Sequence, residues 1–321
     1  MLQHCALTRN LFTAAACLLA TTASAFDYCR RPEGGVGANF GPHEANYALF
    51  NQMDNKGWAG RDEVALRGRF SFKYTVCGTR YVNRAARAKN ESPSLDLRPE
   101  LFLSYTGEFD FYAGTRPSGP VINRLNNPAL NLRFPLRRWY TPADPDDNLT
   151  ISLEHRSNGQ TTEASSELGT ERAQRAYDQY NREYFDTLSR GANYLGLAVR
   201  TTNLRGISEK LDLGLKLRLY LDQESDVRWG QFVGQRRTIK DYDLLQTTAS
   251  YHASFGWLDL SWRVGMAGLK ASSLTLGYQA PSTGIPLYVR YHVGRMNTLS
   301  NYTQRQDSIG IGLRFARPFL E

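Results

Sequence analysis

Val64-Ala65-Leu66-Arg67-Gly68-Arg69-Phe70-Ser71-Phe72-Lys73-Tyr74-Thr75-Val76 is the stretch that decides the fold. Every second residue from Val64 is apolar or glycine: Val64, Leu66, Gly68, Phe70, Phe72, Tyr74, Val76. The interleaved set is Ala65, Arg67, Arg69, Ser71, Lys73 and Thr75. Successive side chains of a β-strand point to opposite faces, so this is a strand with one apolar and one polar side. The pattern returns from Leu211, where Leu213, Leu215, Leu217, Leu219 and Leu221 alternate with Asp212, Gly214, Lys216, Arg218 and Tyr220. It returns again in Leu258, Leu260, Trp262, Val264 and Met266, and in Ile309, Ile311, Leu313 and Phe315. Weaker versions lie near 95–106, 128–136, 147–157, 192–200, 272–279 and 285–293.

Strands of soluble sandwiches are usually ~5–6 residues long, and these runs are nearer twice that. Tilted strands of ~9–11 residues match the thickness of a bilayer. In lipid, only a closed barrel pairs every backbone group of its strands. The apolar set then faces lipid and the Arg-rich set fills the lumen. The expected fold is all-β: a transmembrane antiparallel β-barrel of about twelve strands in a bacterial outer membrane.

Composition agrees. The 321 residues are 41% hydrophobic and 22% charged, and the mean hydropathy is −0.48. No apolar run reaches the ~18 residues of a membrane-spanning helix, so a helical bundle is excluded. A negative mean fits a barrel, because half of each strand avoids lipid. With 18 Tyr, 15 Phe and 5 Trp the chain has ample apolar surface, which excludes disorder.

The N-terminus is an address. Arg9 precedes a short apolar stretch from Leu11 to Ala20, and Ala23-Ser24-Ala25 supplies a small-x-small cleavage site. Residues 1–25 are read as a signal peptide, and residues 26–321 as the barrel with a Gly- and Pro-rich extension over about 26–45. Two of the four cysteines, Cys29 and Cys77, remain after cleavage. In an oxidising compartment they can form a disulfide or persist as two thiols. The net charge of +8 falls to +7 once Arg9 is removed. No basic run stands apart from the strands, so nucleic-acid binding is not expected. Part of the charge turns inward, and part can meet lipopolysaccharide phosphates.

One strand ends unlike the others, in Leu149-Thr150-Ile151-Ser152-Leu153-Glu154-His155-Arg156-Ser157-Asn158-Gly159. By parity, His155 and Ser157 share the lipid-facing side of Leu149, Ile151 and Leu153. At i and i+2 they stand ~6–7 Å apart along the strand, within reach of an imidazole–hydroxyl contact. A serine becomes a strong nucleophile when an adjacent base takes its proton. A third residue then fixes the imidazole tautomer, and Asn serves that role in some enzymes. Asn158-Gly159 permits a sharp turn whose amides can face an oxyanion. His-x-Ser alone is a weak signal, and a polar cluster at the barrel rim is the plain alternative. No zinc, phosphate-loop or dinucleotide motif is present.

His155-Arg156-Ser157-Asn158-Gly159 and Tyr180-Asn181-Arg182 resemble the signature of the outer-membrane phospholipase A family. Asn46-Tyr47 with Arg61-Asp62-Glu63-Val64 looks like that family's first two strands. Pro286-Leu287-Tyr288, Tyr302, Gln304 and the Ile-Gly-Ile-Gly stretch from Ile309 look like its last two. The resemblance implies a twelve-stranded barrel, calcium (Ca2+) dependence, activation as a homodimer, and phospholipid substrates in the outer membrane. Carried over, Ser157 is the nucleophile, His155 the base, Asn181 the orienter and the Gly159 amide part of the oxyanion hole. The implied calcium ligands are Gln160, Ser165 or its neighbour Ser166, and Ser118, the last from a second copy, with Glu163 and Glu167 nearby. Two departures stand out. The family's Asn follows its Ser by about a dozen residues, whereas 181 − 157 is 24, and the calcium ligands match imperfectly. The Glu/Ala-rich insertion Thr162–Gln179 can loop out at little cost. Two rival readings remain: a lipid A deacylase, and a pore or catalytically inactive barrel.

Overall fold

A computed structural model of the chain describes residues 39–54, 62–78, 99–112, 121–136, 147–160, 175, 179, 189–202, 210–221, 239–279, 285–300, 302 and 305–315. The strands are β1 (Phe40–Pro42), β2 (Tyr47–Asp54), β3 (Glu63–Cys77), β4 (Glu100–Phe111), β5 (Val121–Pro135) and β6 (Asn148–Ser157). They continue as β7 (Gly191–Thr201), β8 (Leu211–Tyr220), β9 (Leu245–Ala253), β10 (Gly256–Gly265), β11 (Gly268–Gln279), β12 (Pro286–Gly294) and β13 (Asp307–Arg314). From β2 onward each strand pairs antiparallel with the next, and β13 pairs with β2. The sheet therefore closes into the expected twelve-stranded antiparallel barrel. No open edge is left among these strands.

The two faces divide as the alternation requires. Along β3, Val64, Phe70, Phe72 and Val76 are exposed while Ala65, Arg67, Arg69, Ser71 and Thr75 are buried. Along β8, Leu213, Leu215 and Leu219 are exposed while Asp212, Lys216 and Arg218 are buried. Exposed leucines over buried arginines invert the order of a soluble protein, and lipid is the solvent that explains it. Aromatics also cover glycines on this outer face. A Cβ on Gly68 would lie 2.5 Å from the Phe109 ring, and one on Gly107 2.4 Å from the Phe70 ring.

The lumen is wired by ion pairs. Arg67 binds Asp110 at 2.7 Å and Arg69 pairs with Glu44. Lys216 meets Glu154 at 2.8 Å, and Arg314 meets Asp259 at 2.6 Å. The lumen end nearest Ser157 is plugged by Ala192, Ile239, Tyr242, Met296, Leu299 and Tyr302.

Two local expectations needed adjustment, and one strand carries no apolar alternation. The strand expected near 95–106 runs over Glu100–Phe111. Leu245–Ala253, with few large apolar residues, is a strand because β8 and β10 pair with it on both sides. Residues 40–45, expected to precede the barrel, belong to it: Phe40–Pro42 pair with β3, Ala45 is fully buried, and Glu44 reaches Arg69 in the lumen. Cys77 is disulfide-bonded. Cys29 and the whole of residues 1–38 lie outside the described residues.

The face assignment predicts that Leu215→Arg, on the lipid side of β8, lowers stability by about 2–4 kcal/mol when folding is followed by urea titration in phospholipid vesicles. An unchanged midpoint would mean that Leu215 does not face lipid.

Candidate active site

The site forms where β6 ends and β7 begins, beside Asn126 of β5. Leu153 is 49% exposed on the outer wall, and His155 follows on the same face, also exposed. Ser157, the last residue of β6, is half-buried and lies opposite Gly191 on β7 and Asn126 on β5. Gly191 keeps the ground beside the serine open: a Cβ there would touch Ser157 Cβ at 3.6 Å and His155 Cε1 at 3.9 Å.

His155 has a partner that the sequence did not single out. Its cross-strand neighbour on β7 is Asn193, and His155 Nδ1 lies 2.8 Å from Asn193 Oδ1. With Nδ1–H donating to that oxygen, the lone pair of Nε2 is available to act as a base. Asn181 lies outside the described residues, as do Ser165 and Ser118. The separation 193 − 157 is 36 residues, so sequence spacing pointed elsewhere. The signal that finds Asn193 is the β6–β7 register, which sets it directly across from His155.

The turn after Ser157 is fastened from within. Asn158 is fully buried: its backbone N–H donates to Arg190 O at 2.9 Å, and its Oδ1 accepts from Arg190 N–H at 2.8 Å. The same Oδ1 accepts from Gln160 N–H at 3.4 Å, while Nδ2 donates to Ser300 Oγ at 3.4 Å. This clamp turns the chain so that Gly159 adopts φ +61°, a left-handed value that suits glycine. A Cβ at Gly159 would come within 3.0 Å of Asn126 Nδ2, and Asn126 Oδ1 is occupied by the Tyr105 hydroxyl at 2.6 Å. The Asn126 amide group is thereby turned toward the glycine.

Between the two outward residues, Arg156 points into the lumen and binds Asp243 at 2.6 Å. Asp243 is fully buried and also receives Arg218 at 2.9 Å and Arg263 at 3.1 Å. Burial alone would raise its carboxyl pKa, but the three guanidinium groups outweigh that and hold it well below the usual range. One carboxylate thus ties β6, β8 and β10 together behind the site. No group of three or more His, Cys, Asp and Glu positioned for a metal occurs among the described residues. Of the expected calcium ligands only Gln160, half-buried past the turn, is described.

This fold, with an outward polar cluster on the lipid face, defines an outer-membrane β-barrel protein. Its fold is that of outer membrane phospholipase A. The enzyme from Escherichia coli superposes with a TM-score of 0.61 at 17% identity, covering 90% of this chain and 96% of that one. An active-site variant of the same enzyme, with an asparagine replaced by alanine, matches with a TM-score of 0.61 at 16% identity over 90% and 96%. The calcium-bound dimer of the Salmonella typhi enzyme matches with a TM-score of 0.61 at 17% identity over 90% and 95%. No family model and no curated protein matches the sequence.

Removing the buried knot tests its weight. Asp243→Ala leaves three guanidinium groups facing one another and is expected to cost about 3–5 kcal/mol. The reading is the urea midpoint of the refolded barrel, and a midpoint within 1 M of wild type would contradict it.

Proposed function

We propose that the protein is a calcium-dependent serine hydrolase that cleaves acyl esters of phospholipids in the outer membrane. The observation that carries the reading is the 2.8 Å bond between His155 Nδ1 and Asn193 Oδ1 on the lipid face, two residues from Ser157. The implied signature at His155–Gly159, the shared fold, and an asparagine in the active site of the Escherichia coli enzyme support it. In the third role Asn193 replaces Asn181.

The reaction follows from these groups. Ser157 Oγ attacks the ester carbonyl carbon while His155 Nε2 takes its proton. Asn193 Oδ1 holds the Nδ1–H, which fixes the tautomer and stabilises the imidazolium. The Gly159 amide, with Asn126 Nδ2 beside it, donates to the oxyanion. Collapse breaks the bond to the lysophospholipid oxygen, which leaves with the proton from His155. Water, deprotonated by the same imidazole, then hydrolyses the acyl-serine and releases fatty acid.

Calcium, when bound, would withdraw charge from the carbonyl oxygen in the transition state. Gln160, Ser165 and a Ser118 from a second copy would hold it. These are hard oxygen donors of the kind calcium takes. Calcium prefers six to eight of them, so Glu163, Glu167 or water would complete the set. A homodimer follows from that shared ligand, as in the calcium-bound dimer from Salmonella typhi.

The outward site favours a lipid substrate. A soluble ester in the lumen would be on the wrong side of the wall. The two longest connections between strands described here, 158–190 and 221–244, both start at the Ser157 end of the barrel. Outer-membrane barrels carry their longer loops outside, which favours the outer leaflet for the nucleophile. Intact membranes keep phospholipid scarce there, so substrate access would control the enzyme. A lumen crossed by ion pairs argues against a pore.

Refolded protein in detergent is expected to release fatty acid from phospholipid with calcium, to stop with chelator, and to lose at least ~100-fold in rate as Ser157→Ala. Release that survives Ser157→Ala would remove the mechanism, and activity on lipopolysaccharide alone would make it a lipid A deacylase. Losing a hydrogen bond to the imidazolium, worth ~1.5–3 kcal/mol, should slow Asn193→Ala by about 10- to 100-fold in kcat. Asn181→Ala should match wild type, and the reverse ranking would return the role to Asn181.

A further inference from the structure

Beside the serine the outer wall carries a further hydrogen-bonded pair. Four outward positions lie in a row: Phe70 on β3, Gly107 on β4, Asn126 on β5 and Ser157 on β6, each the cross-strand partner of the next. Gly107 puts no side chain next to Asn126, and the Phe70 ring covers it, 2.4 Å from where a Cβ would lie. Tyr105, two residues before Gly107 on the same face, reaches across this gap. Its hydroxyl donates to Asn126 Oδ1 at 2.6 Å. Tyr105 stands opposite Pro128, so Asn126 is its diagonal neighbour, within the span of an aromatic side chain.

Both partners are held. The Tyr105 ring stacks on Phe70 at 5.9 Å and on Phe72 at 5.8 Å between centroids, with interplanar angles of 26° and 28°. Next along β5, Asn127 is bonded inside the barrel: its Nδ2 donates to Glu154 at 3.1 Å and its Oδ1 accepts from the Tyr194 hydroxyl at 3.2 Å. That inner bonding sets the parity of β5 and turns Asn126 to the outer wall. A carboxamide can rotate by half a turn and exchange its oxygen for its nitrogen. Here the exchange would leave the Tyr105 O–H without its acceptor on a hydrocarbon-facing wall, which is costly. The oxygen therefore stays with the tyrosine. Nδ2 faces Gly159, within 3.0 Å of where a Cβ on that glycine would lie.

We propose that Tyr105 is a positioning residue for the oxyanion pocket: it fixes the Asn126 carboxamide so that the N–H, and not the oxygen, meets the substrate carbonyl as charge develops. The proposal rests on the catalytic reading above and adds to it the group that orients the donor. With the carboxamide reversed, Oδ1 would oppose the oxyanion and repel it. A donor aimed beforehand needs no reorganisation at the moment of reaction, which is the source of such a pocket's effect. Tyr105 acts through Asn126 alone.

The full refolded barrel in detergent, with calcium and phospholipid, reads the proposal through kcat. Tyr105→Phe keeps the ring stack and removes only the hydroxyl. It should lower kcat about 5- to 10-fold, with KM and the urea midpoint unchanged. Asn126→Ala removes the donor and should cost roughly 100-fold. The double variant should be no slower than Asn126→Ala, because the hydroxyl then has nothing left to hold. On a thionoester analogue, whose sulfur accepts hydrogen bonds poorly, both single variants should match the wild type. Losses that multiply in the double variant, an equal loss on the thionoester, or a fall in urea midpoint matching the loss in kcat would each overturn the proposal. Ser157-dependent release that Tyr105→Phe leaves unimpaired removes this proposal alone. No Ser157-dependent release from the wild type removes the catalytic reading and this proposal with it. Should Asn126→Ala not fold, Tyr105→Phe on the ester and the thionoester decides it.

Discussion

A strand in lipid has no water to which its amides can turn. That constraint governs this molecule, because it makes the β13–β2 ladder as necessary as any other. Leaving that seam open would expose two rows of N–H and C=O groups to hydrocarbon at several kcal/mol each. Closure fixes the rest. It gives every strand an inner and an outer face, sends Leu215 and Ile311 out, and confines Arg67 and Arg218 to a lumen too narrow for bulk water.

Confinement explains the density of ion pairs. Long cationic side chains converge on the axis from all sides, and each must find a partner there. Asp243 shows how far this goes, with three guanidinium groups on one carboxylate within 3.1 Å. The arrangement has a consequence at the outer wall. Arg156 is anchored inward, so the residues on either side of it, His155 and Ser157, are presented outward on a backbone that is held from behind. Asn158 does the same for the turn that follows. A polar cluster on a lipid-facing wall is costly, and this one rests on rigid internal bonding, as a preorganised site requires.

How far the sequence reveals this depends on what each feature rests on. Strand identity rests on local alternation, so β3, β8, β10 and β13 can be read directly, with their inward and outward faces. The strand β9 rests on its neighbours: Thr247, Thr248 and Ser250 carry no apolar stripe, and pairing from both sides makes the strand. Residues 40–45 read as a Gly- and Pro-rich leader because the partner of Glu44, Arg69, lies 25 residues away. The same reason hid Asn193. A contact made across a ladder is specified by register, and no spacing within one strand records it. Asn181, the nearer asparagine by sequence, lies outside the described residues.

The register argument also bears on how the site can evolve. His155 and Asn193 are 38 residues apart in sequence, yet their contact depends only on the β6–β7 pairing at that rung. Loop length costs little and is free to change, while a one-residue slip would turn Asn193 toward the lumen and bring Ala192 or Tyr194 against the imidazole. Tyr194 opposes any such slip, since its hydroxyl is bound to Glu154 at 2.6 Å inside the barrel. The internal hydrogen bond of one β7 residue thereby sets the external partner of the histidine, and the luminal network acts on the outer wall through the register that it locks.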